Sequence, residues 1–149
     1  MKSWALALIL SLPLAACEQP TEVAVTDAWA RDSVGRTASA AVFMTISSPG
    51  ADRLVGASSP VAKKTDLMTM EMAGGAMTMT YLDGIDIPAG DPVSLDPSGL
   101  HVWLEDLRQP LRAGQTFPLV LEFEKAGERR VAVSVIEPAA APPIPGSEL

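Results

Sequence analysis

Apolar and polar residues alternate along most of the middle of this 149-residue chain, and Gly, Pro, Asp or Ser break the alternation every few positions. A period of two puts every second side chain on one face of a strand. Val23–Trp29 follows it. Ala38–Ile46 is a longer apolar run with β-branched and aromatic residues, closed by Ser47, Ser48, Pro49 and Gly50. Arg53–Ala57 is a short candidate, and Thr65–Met72 and Ala76–Leu82 alternate well. Val93–Leu95, Leu100–Leu104, Phe117–Phe123 and Arg130–Ile136 follow. Sustained three-four spacing is missing, and 13 Pro residues disfavour helices. Short strands with turn residues between them predict a single all-β domain, an antiparallel sandwich or barrel.

Two of these strands carry an unusual face. Five of the seven Met lie between residues 68 and 79. Met68, Met70 and Met72 are two apart, as are Met77 and Met79, and Gly74-Gly75 can supply the positive φ angles of a two-residue hairpin. That turn sets Ala73 against Ala76, Met72 against Met77, Met70 against Met79 and Met68 against Tyr81, so all five thioethers share one side of the ribbon. Thr69, Glu71, Thr78 and Thr80 take the other. A face of this kind usually means burial, because Met fills gaps in cores. Against that, Val, Ile and Phe suit strands better, and neutral sulfur donors suit Cu(I).

Composition narrows the chemistry. The formal charge of −7, without a Lys/Arg cluster, argues against nucleic acid as a main partner. One Cys and one His exclude a disulfide framework, zinc sites of several thiolates, and sites built on two or three imidazoles. That Cys has an address of its own. Lys2, the apolar run Trp4–Leu14 and the small Ala15 and Ala16 follow the order of a secretory signal. Leu14-Ala-Ala-Cys17 resembles a bacterial lipobox, in which the Cys is lipidated and becomes the mature N-terminus. The expected organisation is a lipoprotein signal peptide at 1–16, a linker at 17–22, a domain at 23–137 and a Pro-rich tail at 138–149. The mature chain would have 133 residues (149 minus 16). With its sole Cys acylated, it would lack the thiolate that a blue-copper site or a Cys nucleophile needs.

His101 and Trp103 are also two apart, on the face opposite Leu100, Val102 and Leu104. Alone, they read as a hydrogen-bonded His and a packed Trp. Together with the hairpin they form Met68-x10-Met79-x21-His101-x-Trp103. This resembles the PCuAC family of periplasmic copper chaperones, whose motif is His or Met, ten residues, Met, twenty-one residues, His, one residue, Met. Ala28–Arg31, Ala40–Thr45, Arg53–Pro60, Gln109–Leu111 and Leu121–Gly127 are also similar to the family, over roughly residues 23–135. Two departures stand out. The first ligand position is Met68, the rarer choice, and the last is Trp103, whose indole offers no sulfur and whose nitrogen is only a donor.

The resemblance implies a cupredoxin-like antiparallel Greek-key β-sandwich with a surface-exposed Cu(I) site. Met68, Met79 and His101 would be ligands and Trp103 would cap the ion through a cation–π contact. Met70, Met72 and Met77 are possible auxiliary ligands. It also implies a periplasmic protein, here membrane-anchored through Cys17, that delivers copper towards cytochrome c oxidase copper centres, often with a Sco-type thiol protein. The alternative is an envelope binding or assembly lipoprotein with a degraded or absent metal site, its Met face docking a partner. An enzyme is not expected. Asp52, Asp66, Asp83, Asp86 and Asp91, with Ser48, Ser58 and Ser59, form no recognisable catalytic spacing, and lone Asp residues in turns normally shape the turn.

Overall fold

The computed structural model describes residues 22–33, 35 and 38–143. The signal-peptide reading of residues 1–16, Cys17 and the last six residues of the tail lie outside them. Ten strands are present: β1 (Ala24–Arg31), β2 (Ala40–Ser47), β3 (Asp52–Ser58), β4 (Ala62–Ala73), β5 (Ala76–Leu82), β6 (Ile85–Ile87), β7 (Val93–Leu95), β8 (Leu100–Leu107), β9 (Thr116–Phe123) and β10 (Gly127–Ile136). Nine match runs legible in the sequence. β6 was not expected, because three residues between turn signals show no period.

The strands form one continuous sheet in the order β5-β4-β8-β2-β1-β10-β9-β3-β6, with β7 on β2. All neighbours are antiparallel except β1 and β10, which run parallel and bring the two ends of the domain side by side. The sheet is all-β and mostly antiparallel, as expected, with this one parallel pair, and its halves are joined through β1. A register shift between Thr26 and Trp29 breaks the β1–β2 ladder, with Asp27 at φ 54° within it. Such bulges bend a strand and increase its twist.

Register decides which side chains reach the core. Leu67, Val102, Val42, Ala30 and Val135 form one row across β4, β8, β2, β1 and β10. All five are buried, in the same cluster as Leu54, Ile85, Leu119, Leu121 and Val133 from the other half. The sheet thus folds over one apolar core, and the neighbouring row faces outward. Beyond β10, Arg31 Nη1 donates to the carbonyls of Pro138 and Ala140 at 2.6 and 3.2 Å, which ties the start of the Pro-rich segment to β1.

Candidate metal centre

The hairpin has the register its sequence predicts. Gly74 and Gly75 take φ of 60° and 82°, the left-handed pair a two-residue turn requires. Met72 faces Met77, Met70 faces Met79, Met68 faces Tyr81, and Ala73 faces Ala76. The Met70 N–H points away from β5, donating to Gly99 O at 3.0 Å. Met70 and Met79 are therefore a non-hydrogen-bonded pair, the class in which facing side chains lie closer. Alternation gives Met72–Met77 and Met68–Tyr81 the same geometry.

β8 lies on the inner edge of β4, with His101 opposite Met68 and Trp103 opposite Asp66. Residues paired in register point to the same face, so the Met row and the His-Trp pair share the outer side of the sheet. His101 Nδ1 lies 3.0 Å from Gly99 O. A carbonyl only accepts, so Nδ1 carries a hydrogen, and in the neutral ring Nε2 is then the nitrogen with the lone pair. Nε2 is buried and has no hydrogen-bond partner. Buried polar atoms are nearly always satisfied, and an imidazole held through one nitrogen with the other free is the usual state of a metal-ligating His. The Gly99 carbonyl thus accepts twice, fixing the ring and the inner hairpin strand together.

The donors are graded by depth. His101 and Met68 are 2% and 3% exposed, Met70 is half-buried, and Met79, Met77 and Met72 are 39%, 49% and 68% exposed. The surface-exposed site implied by the resemblance is here a nearly buried imidazole and sulfur beneath an open sulfur row. Met68 and His101 are brought face to face. Met79 is diagonal to Met68, faces Met70 and has β4 between it and His101. The His101 and Trp103 rings meet in a T-shaped arrangement, with centroids 6.1 Å apart and planes at 73°.

Other residues complete the face. Phe43 packs against His101 at 6.2 Å and against Trp29 at 4.6 Å, and Arg31 lies over the Trp29 ring at 5.2 Å. This aromatic flooring was not legible, because it depends on β2 lying between β1 and β8. Beyond Trp103 the face turns polar. Lys64 Nζ is 2.7 Å from Asp66 and 3.3 Å from Glu105, and lies 5.3 Å over the Tyr81 ring. Tyr81 donates to Glu105 at 3.3 Å. Hydrogen bonding to Asp66, then to Glu105, raises the Lys64 pKa above its ordinary value. Extending the period-two face back from Met68 through Asp66 to Lys64 would have found this strip.

Among the described residues, no group of three or more His, Cys, Asp and Glu side chains meets as a metal site. The donors gathered beside His101 on this face are the thioethers of the hairpin. Three of the carboxylates weighed for catalysis have structural partners, among them Asp66 with Lys64. Asp52 accepts three backbone N–H groups, and Asp86 pairs with Arg53 at 2.6 Å.

Residues 23–135 match the "LpqE-like" family ("Putative lipoprotein LpqE-like"). A relative from Leifsonia xyli subsp. xyli, "Putative lipoprotein Lxx21020", is 33% identical over 119 residues, covering 79% of this chain and 72% of its own. The copper-bound PCuAC domain from PmoF2 is 25% identical, with TM-score 0.64, over 78% of this chain and 93% of that domain. The solution structure of CuI-DR1885 from Deinococcus radiodurans is 29% identical, with TM-score 0.56, over 77% of this chain and 80% of that one. The chain belongs to the LpqE-like family, which is of PCuAC type, and it has a cupredoxin-like β fold.

Proposed function

We propose that this protein is a Cu(I)-binding metallochaperone of the bacterial cell envelope, with Met68, Met79 and His101 as ligands and Trp103 capping the ion. The observation that carries this reading is His101 Nε2, buried, unpartnered and on the strand pair that holds Met68. Leaving such a group unsatisfied costs about 1–3 kcal/mol, a cost that a bound soft cation removes. Two thioethers and a neutral imidazole leave the complex at +1, which favours Cu(I) over Cu(II). Similar chains whose names state copper or Cu(I) binding support the same cargo.

His101 supplies the strongest donor, set by its bond to Gly99. Met68 supplies sulfur beside it, and Met79 approaches from the exposed edge strand. The indole of Trp103 offers a π face to the cation where a fourth sulfur is missing. Delivery proceeds by ligand exchange from the open side, the incoming donors replacing Met79 first because it is the most exposed of the three. In the full reading Cys17 is lipidated, residues 17–22 tether the domain to the membrane, and a Sco-type thiol protein or the copper centres of cytochrome c oxidase receive the ion.

Anaerobic Cu(I) titration against a competing chelator tests the reading. Wild-type protein should bind Cu(I), and Met68→Leu with Met79→Leu should abolish tight binding while keeping the far-ultraviolet spectrum. Loading should quench Trp103 emission. Trp29, separated from His101 by Phe43, serves as the control in a Trp103→Phe variant. Unaltered affinity in the double variant would refute the ligand set and leave the alternative, a metal-free docking lipoprotein.

A further inference from the structure

The hairpin carries more sulfur than one site uses, and it carries it in the open. Four of the five large apolar side chains exposed among the described residues are Met72, Met77, Met79 and Tyr81, all on β4 and β5. Core filling does not account for them. β4 continues past its last contact with β8, the Met70 N–H to Gly99 O bond, so Met72 and Met77 ride on a two-stranded extension that no third strand covers. They face each other directly, in the closer class of cross-strand pair. One row inward, Met70 and Met79 form a second facing pair, and behind that row lie Met68 and His101. The donors thus form rows of rising depth, soft sulfur throughout, ending at a single nitrogen.

We propose a second, outer Cu(I) site on the hairpin tip, formed by Met72 and Met77, from which the ion passes inward along Met70 and Met79 to Met68 and His101. This rests on the Cu(I) reading and adds a second station to it. Two neutral thioethers in open solvent hold Cu(I) more weakly than a set that includes an imidazole, so the tip fills second and empties first. The ion enters with Met72 and Met77 as ligands and water or a partner's donor completing the coordination. Each inward move replaces one sulfur by the next without a change of oxidation state. Met70 and Met79 lie within a row of both stations and serve either. The same path run outward presents the ion at the tip to a recipient's soft donors.

The test is an anaerobic Cu(I) titration of the purified protein with ¹³C-labelled Met methyl groups, read by NMR and by chelator competition. Two equivalents should bind. The Met68 methyl and the His101 ring should respond to the first, and the Met72 and Met77 methyls to the second, in fast exchange. Met72→Leu with Met77→Leu is a volume-conserving change at exposed positions. It should reduce the stoichiometry from two to one and slow Cu(I) transfer to the chelator several-fold, with the first-equivalent response of Met68 kept. A single equivalent in the wild type, or Met72 and Met77 methyls that move in step with Met68, would overturn the outer site while sparing the inner one. No Cu(I) uptake at all would overturn both.

Discussion

Asp52 is the residue whose ionisation the fold uses most directly away from the Met face. It is buried, and its Oδ1 accepts the N–H groups of Arg53 at 2.7 Å and Lys125 at 2.9 Å, while Oδ2 accepts that of Ala126 at 2.9 Å. Burial pushes its pKa up, but the three backbone hydrogen bonds and the nearby Lys125 charge outweigh it. The carboxyl is held below its usual 3.8. A depressed folded pKa contributes stability that is whole above the unfolded pKa and is lost as pH falls through the folded one. Asp52→Ala should therefore destabilise the protein at pH 7 by about 1–3 kcal/mol, the cost of unsatisfied buried groups. Its urea midpoint should also fall less steeply than that of the wild type below about pH 4. In the sequence Asp52 was one carboxylate among several. The clamp depends on the β9–β10 turn, some seventy residues away, and no local pattern announces it.

Among the elements, the β4–β5 hairpin was the most legible. Gly74-Gly75 and strict alternation determined its register down to each facing pair, because a two-residue turn leaves no freedom to slip. No atom would lie within 4 Å of a Cβ at Gly74 or Gly75, so substitutions there act only through the backbone. Gly74→Asn should be nearly silent, since Asn tolerates the left-handed region. Gly75→Val should cost about 1–2 kcal/mol locally. Global stability should fall by less than that, because β5 is an edge strand whose loss leaves the core covered. Cu(I) affinity should drop as the Met79 register loosens, which the chelator titration measures. β6 was invisible for the opposite reason, its three residues being too few to show a period. The placement of β8 beside β4 was also beyond the sequence pattern. Only the family spacing linked Met68 to His101.

For the whole molecule, the decisive fact is that the core and the candidate metal face lie on opposite sides of the same strands. Leu67, Val102 and Val42 point in, while Met68, His101 and Phe43 occupy the next positions and point out. Met68→Leu and Met79→Leu should leave the denaturant midpoint close to that of the wild type, whereas Leu121→Ala, in the core, should cost about 2–5 kcal/mol. Copper should add stability by mass action alone, about 2.7 kcal/mol when the free ion is at a hundred times its Kd. The alternation that makes this division was readable, and the joining of the two halves of the sheet through the parallel β1–β10 pair was not. The doubly used carbonyl at residue 99 has a further consequence. A Cβ there would meet only Asp96, at 3.8 Å, so replacing the glycine removes no acceptor. An alanine scan would pass over the atom that aims the imidazole, and only altering the main chain itself, for instance by a peptide-to-ester exchange, would expose its part in tuning the ion's grip.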